Sequence, residues 1–246
     1  MARTWVVGHR GASGHAPENT MAAFRRAVEL GAAFIETDLH LSRDARLVCI
    51  HDATLERTTN GRGAVKEQTL AQLKELDAGS WFGSEFAGER IPTLEEALAF
   101  SREKDIVFFL EVKYEAAWGI EHGLVAALRD ANEAARAVIL SFSRGVLRNV
   151  RRLDNTLMTG LLFDAIPKGG PEAVIEHALE IGARQLAPRG DLFTPALLEH
   201  AHRSDLQVVC WTVNPPEQMR SLISAGVDGI MTDYPDRLVA ALNESK

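Results

Sequence analysis

The sequence predicts an α/β fold, a single (β/α)8 TIM barrel with a small, mainly helical insertion after its second strand. Three observations predict it. Short apolar runs alternate with longer amphipathic segments, eight such pairs are readable, and the 246 residues match the roughly 250 that such a barrel needs. Strand–helix alternation implies parallel pairing with right-handed crossovers. Eight units favour closure into a barrel over an open doubly wound sheet.

Strands are predicted over residues 5–8, 34–39, 106–112, 137–140, 158–163, 185–187, 208–213 and 229–232, with an extra short strand over 47–50. Helical periodicity fills most of the gaps. Residues 20–30 place Phe24, Ala27, Val28 and Leu30 on one face. Helices over 123–131, 146–153, 171–181, 195–202, 216–225 and 235–242 follow the third to eighth strands. Pro171, Pro195, Pro216 and Pro235 open the last four, where a missing N–H costs nothing and a fixed φ suits the first turn. The stretch between His51 and Asp105 breaks the rhythm and is too long for a plain βα loop. Leu70, Leu73 and Leu76 line one side of a helix over 69–76, and Thr93 with Glu96 forms a capping box opening 94–101. Trp81, Phe82 and Phe86 add aromatic mass. Residues 52–105 are therefore expected to form an inserted subdomain within one domain spanning 1–246.

A formal net charge of -7 argues against a nucleic-acid or anionic-membrane partner, which favours a basic face. An anionic small-molecule substrate then needs a locally positive pocket, and a metal ion can supply one. Cys49 and Cys210 lie in apolar runs and read as buried free thiols, suited to a reducing compartment. Residues 1–8 show no leader pattern, and no run approaches the ~18 apolar residues of a membrane helix. A cytoplasmic protein is expected.

In a parallel barrel the active site lies at the carboxyl ends of the strands. The first strand runs into His9, Arg10 and Gly11; the second carries Glu36 and Asp38, and the third Glu111 and Lys113. Residues two apart on a strand share a face, so three carboxylates can meet at one point. Such a set suits a hard cation, Mg²⁺ or Ca²⁺; a pure salt-bridge cluster with Arg10 and Lys113 is the alternative. Zinc is less suited, because no His-x₃-His or paired-cysteine spacing appears. His9 and His51 are the acid–base candidates, since histidine exchanges protons near neutrality. His122, His177, His200 and His202 fall on predicted helices, His40 shares the face of Glu36 and Asp38 and either supports them or is structural, and His15 stays ambiguous. Arg10 and Lys113 can clamp a phosphate or serve as counter-ions of Glu18 and Glu111. Trp211 offers an apolar wall at the mouth or simple core packing.

These residues recur in an ordered set of motifs. His9-Arg10-Gly11, Pro17-Glu18-Asn19-Thr20, Glu36-Thr37-Asp38-Leu39 and His51-Asp52 come first. Leu55 to Gly61, Ile91 to Glu96, Leu110-Glu111-Val112-Lys113 and Trp211-Thr212-Val213-Asn214 follow. The chain thereby resembles the glycerophosphodiester phosphodiesterases of the bacterial cytoplasmic type, over nearly its whole length. Leu140-Ser141-Phe142-Ser143 is similar to the family's Ser-Phe element. The resemblance implies Glu36, Asp38 and Glu111 as metal ligands and His9 and His51 as general acid and base. It also implies Arg10 and Lys113 as phosphate binders, Trp211 on the glycerol side and Glu18 as a supporting residue. The reaction implied splits a glycerophosphodiester into glycerol 3-phosphate and an alcohol, with water or the glycerol 2-hydroxyl as first nucleophile. Two other readings stay open: a phosphodiesterase for lysophospholipids or phosphoinositides on the same barrel, and a non-catalytic barrel that binds a phosphorylated ligand.

Overall fold

The computed structural model describes residues 4–113 and 119–244; residues 1–3, part of the segment read as lacking a leader, lie outside them. The strands are β1 (Trp5–Gly8), β2 (Phe34–Leu41), β3 (Leu47–Cys49), β4 (Val107–Val112), β5 (Ala137–Ser141), β6 (Met158–Phe163), β7 (Gln185–Pro188), β8 (Gln207–Cys210) and β9 (Gly229–Thr232). Their order is β1-β9-β8-β7-β6-β5-β4-β2-β3, and β1 also pairs with β2. That extra pairing, Val7 with Phe34 and Gly8 with Ile35, closes eight parallel strands into a barrel. β3 is the antiparallel extra, paired with the end of β2.

Alternation along each strand sorts the side chains. Val7, Phe109, Val138, Leu140, Leu162, Val209 and Met231 fill the barrel interior. Their chain neighbours Val6, Phe108, Leu110, Ile139, Leu161, Val208 and Ile230 face the helices. Period-2 patterning thus serves two cores at once, which is why the strands read as continuous apolar runs.

The helices are α1 (Met21–Glu29), α2 (Leu70–Lys74), α3 (Leu94–Lys104), α4 (Ile120–Asp130), α5 (Arg144–Leu153), α6 (Gly170–Glu180), α7 (Pro195–Arg203), α8 (Pro216–Ala225) and α9 (Pro235–Glu244). Thr20, Ser143 and Thr194 cap α1, α5 and α7, each cap contributing about 1 kcal/mol. The Thr93–Glu96 capping box is present at α3.

Two expectations shift. The segment after β3 has its own apolar cluster of Val48, Ile50, Leu55, Val65, Leu73, Ala78 and Ile91. α3 does not join it: Leu94, Ala97, Leu98 and Phe100 pack into the shell core. The helix assigned to the insertion therefore serves as the barrel's own second helix. β8 stops at Cys210 rather than at 213, because Trp211 bridges Arg189 while Val213 turns to bond Met231.

Candidate active site

β2 and β4 lie side by side with Glu36 opposite Phe109 and Asp38 opposite Glu111. Glu36, Asp38 and Glu111 are all buried. Each offers one oxygen, and those oxygens lie within 4.8 Å of one another. Arg10 and Lys113 partly neutralise them. Lys113 Nζ lies 2.7 Å from Asp38 Oδ1 and 2.6 Å from Glu111 Oε1, and Arg10 Nε lies 3.3 Å from Asp38 Oδ2. The Arg10 backbone N–H donates to Glu36 Oε2 at 2.9 Å, while the buried Glu36 Oε1 has no hydrogen-bond partner.

The electrostatics follow from this packing. Burial, then the charges of Asp38 and Glu111, push the Glu36 carboxyl well above its usual range. Burial and Asp38 raise Glu111 to about 6. Asp38 is buried too, but Lys113 and Arg10 outweigh that and hold it low. Burial works against the charges on Arg10 and Lys113, and the carboxylates override it and raise both. Three carboxylates thus face two cations, with one buried oxygen left bare. That donor set fits a hard divalent cation, and Glu36, Asp38 and Glu111 are the residues able to hold it.

The histidines sit on loops leaving β1 and β3. His9 Nδ1 bonds Asp233 Oδ1 at 2.7 Å, and its Nε2 lies 3.4 Å from Thr212 Oγ1 and 4.0 Å from Glu36 Oε2. Asp233 also accepts from Ser13 Oγ and Asn214 Nδ2. Burial raises the Asp233 carboxyl, but His9, by bond and charge, together with the Asn214 and Ser13 bonds outweighs it and brings the carboxyl down to about 2. His51 Nδ1 bonds Asp52 Oδ1 at 2.6 Å. Burial lowers the His51 imidazole, opposed by Asp38. Because a carboxylate only accepts, each Nδ1 carries the proton and each Nε2 is left unprotonated.

The other residues singled out from the sequence make contacts of their own. Glu18 takes Arg10 Nη1 at 2.9 Å. Trp211 donates its indole N–H to Ala187 O at 2.7 Å and meets Phe142 edge to face at 5.5 Å. His40 bonds the His51 carbonyl at 3.0 Å, a structural contact. His15, left ambiguous, pairs with Asp236 at 2.9 Å. Asp52, Asp233, Asn19 and Arg57 were assigned no role from the sequence. Asn19 donates to Asp38 Oδ2 and accepts from Thr37 Oγ1, and Arg57 joins Asp52 to Glu18. The signal for Asp52 was its adjacency to His51; for Asp233 it was its place at the end of the strand beside β1.

Known proteins share this chain's sequence and fold. The model of the glycerophosphoryl diester phosphodiesterase family matches residues 9–237. A glycerophosphodiester phosphodiesterase of Caldanaerobacter subterraneus subsp. tengcongensis is 43% identical over 239 residues, 96% of this chain and 97% of that protein. The crystal structure of a glycerophosphodiester phosphodiesterase from Agrobacterium tumefaciens superimposes with a TM-score of 0.85 at 28% identity, covering 96% of this chain and 99% of that one. An Oleispira antarctica phosphodiesterase, solved in complex with the product sn-glycerol-3-phosphate, gives a TM-score of 0.87 at 30% identity, covering 98% of this chain and 97% of that one. With the family model spanning the barrel from His9 to Arg237 and a relative this similar over nearly its full length, the chain belongs to the glycerophosphoryl diester phosphodiesterase family.

Proposed function

We propose that this chain, a phosphodiesterase by family, hydrolyses glycerophosphodiesters such as glycerophosphocholine or glycerophosphoethanolamine. The products are glycerol 3-phosphate and an alcohol, and the cofactor is Mg²⁺ or Ca²⁺. The observation that carries the reading is a three-carboxylate cluster flanked by two histidines, each backed by a carboxylate. The product seen with the Oleispira antarctica phosphodiesterase supports the same substrate class.

Glu36, Asp38 and Glu111 would hold a divalent cation, which would supply positive charge for the phosphate oxygens. Arg10 and Lys113 add to that charge, Arg10 through its planar fork and Lys113 as a point charge. His9 and His51, each with an unprotonated Nε2, divide the proton transfers. One takes a proton from the attacking oxygen and the other delivers one to the leaving alcohol, each typically giving about 10²–10⁴-fold. Trp211 and Phe142 line an apolar side of the mouth for the carbon skeleton. No helix among the described residues is long and apolar enough to cross a membrane, and the free buried thiols of Cys49 and Cys210 support a reducing, cytoplasmic setting.

The test is choline release from glycerophosphocholine. Chelation should abolish it and Mg²⁺ or Ca²⁺ should restore it. Full turnover in metal-free protein removes the metal from the proposal, and wild-type turnover in His9→Ala or His51→Ala removes that histidine.

A further inference from the structure

We infer that Arg57 is a positioning residue that couples the carboxylate behind His51 to the carboxylate behind Arg10. The inference rests on the function proposed above and names a further residue for that reaction. Arg57 sits in the segment between β3 and α2, outside the barrel strands, and is 44% exposed. Its guanidinium faces two carboxylates. Nε donates to Asp52 Oδ2 at 2.6 Å and Nη2 to Asp52 Oδ1 at 3.0 Å. Nη1 donates to Glu18 Oε2 at 2.8 Å and Nη2 to Glu18 Oε1 at 2.9 Å.

The shared atoms carry the argument. Asp52 Oδ1 takes both Arg57 Nη2 and His51 Nδ1. Glu18 Oε1 takes both Arg57 Nη2 and Arg10 Nη1. One nitrogen of Arg57 therefore fixes the two oxygens that orient an acid–base group and a phosphate-binding group. These lie on different loops, one after β1 and one after β3. The network is part open to solvent, with Arg57 44% and Asp52 29% exposed against 12% for Glu18, so it is screened more than a fully buried set and stability is not its main effect. Four charge-assisted bonds in two planar forks instead define direction. Lysine, with its donors on a single nitrogen, cannot reproduce two parallel pairs. Without Arg57, Asp52 and Glu18 keep their own partners but lose the common anchor that sets the distance between them.

The experiment uses the full chain with metal, following choline release from glycerophosphocholine. Arg57→Ala should lower kcat about 10- to 100-fold, the range typical of residues that orient a site's ligands. It should also raise KM, since Arg10 loses part of its orientation. Arg57→Lys should fall between Arg57→Ala and wild type. Two double-mutant cycles test the coupling. The kcat loss should be strongly non-additive with Asp52→Asn and the KM rise non-additive with Glu18→Gln. Arg62→Ala, an arginine change in the same segment, should stay at wild-type rates. Thermal unfolding checks the fold of each variant; if Arg57→Ala does not fold, Arg57→Lys carries the same two cycles. Wild-type kcat and KM in Arg57→Ala, additivity in either cycle, or an equal loss in Arg62→Ala overturns the inference. If wild-type protein releases no choline with either metal, the proposed function fails and this inference with it. If wild type turns over and Arg57→Ala is indifferent, only the inference fails.

Discussion

Asp233 reaches His9 across the β1–β9 seam of the barrel, Oδ1 to Nδ1 at 2.7 Å. The two residues are 224 apart in the chain, yet β1 and β9 are adjacent and in register from Trp5 opposite Gly229 to Gly8 opposite Thr232. Ser13, on the same loop as His9, and Asn214, on the loop after β8, hold the same carboxylate. The aspartate can only accept, so the proton is on Nδ1, and the Nε2 lone pair meets only the Thr212 hydroxyl, at 3.4 Å.

Asp233→Asn tests this relationship. An amide offers an N–H₂ toward Nδ1 as readily as its oxygen, which favours the tautomer protonated on Nε2. We expect kcat to fall about 10²–10⁴-fold, the range of a lost general acid or base. The far-UV spectrum should remain that of wild type. A kcat within a factor of about three of wild type would show that His9 needs no carboxylate behind it.

The second prediction concerns pH and metal together. Glu36 and Glu111 are acids held above their ordinary values, chiefly by burial and then by neighbouring carboxylates. The sign follows from linkage: the stability they lend is full below 4.5 and is lost as pH rises through the folded values, about 6 for Glu111. Ionising Glu111 in the metal-free fold then costs roughly 2 kcal/mol, or about 4–8 °C of thermal midpoint. Asp38 and Asp233 are depressed and stay ionised across this window, so they add no slope. His40 and His51, lowered first by burial, tilt stability the opposite way in both forms. The difference between forms therefore reports the acidic cluster. Added Mg²⁺ or Ca²⁺ should raise the midpoint more at about pH 7.5 than at about pH 5, and Glu36→Gln should flatten that difference. An equal rise at both pH values contradicts the cation site.

Asn19 supplies the third. Its φ is 56°, a left-handed conformation that asparagine tolerates better than most side chains. Its amide donates to Asp38 Oδ2 and its oxygen accepts from Thr37 Oγ1 and the Asp38 backbone N–H. All of these groups are buried. Asn19→Ala removes the three bonds and keeps the strain, for an expected loss of about 2–4 kcal/mol. It also frees Asp38 to rotate, so the affinity for Mg²⁺ or Ca²⁺ should weaken about 10- to 100-fold. Titration calorimetry checks the affinity and denaturant unfolding the stability. Unchanged metal affinity in a destabilised Asn19→Ala would confine Asn19 to the fold.

What was legible in the sequence was what strand geometry makes local. Glu36 with Asp38, and Glu111 with Lys113, are two residues apart, so a period of two places each pair on one face without knowledge of the rest of the chain. Their meeting needed only that the two strands be neighbours, as they are. Asp233 was not legible as the partner of His9, because that contact exists only once β9 pairs with β1. Asp52 was hidden differently. In a continuing strand it would face away from His51, but β3 ends at Cys49, and the loop beyond turns both side chains together. The α3 capping box was readable from Thr93 and Glu96, yet periodicity reports which face of a helix is apolar and not which core receives it. Hence α3 was grouped with the insertion when it belongs to the barrel shell.

The last prediction concerns the apolar side of the mouth. Trp211 stands edge to face with Phe142 at 5.5 Å, and Phe142 is 39% exposed. Neither ring carries a group able to transfer a proton, so together they can act on a substrate only through contact, apolar against its carbon skeleton or cation–π against a choline headgroup. Such contact is made about equally in the ground state and the transition state, which changes KM and spares kcat. Trp211→Ala should therefore raise KM for glycerophosphocholine about 10-fold with kcat within a few-fold of wild type. Trp211→Phe keeps a ring against Phe142 but loses the indole bond to the Ala187 carbonyl. It should cost about 1 kcal/mol of stability while holding KM near that of wild type. Steady-state kinetics on both variants separates the contributions. A collapse of kcat at constant KM in Trp211→Ala would place the indole against the reacting atoms, contrary to a wall that acts only through such contact.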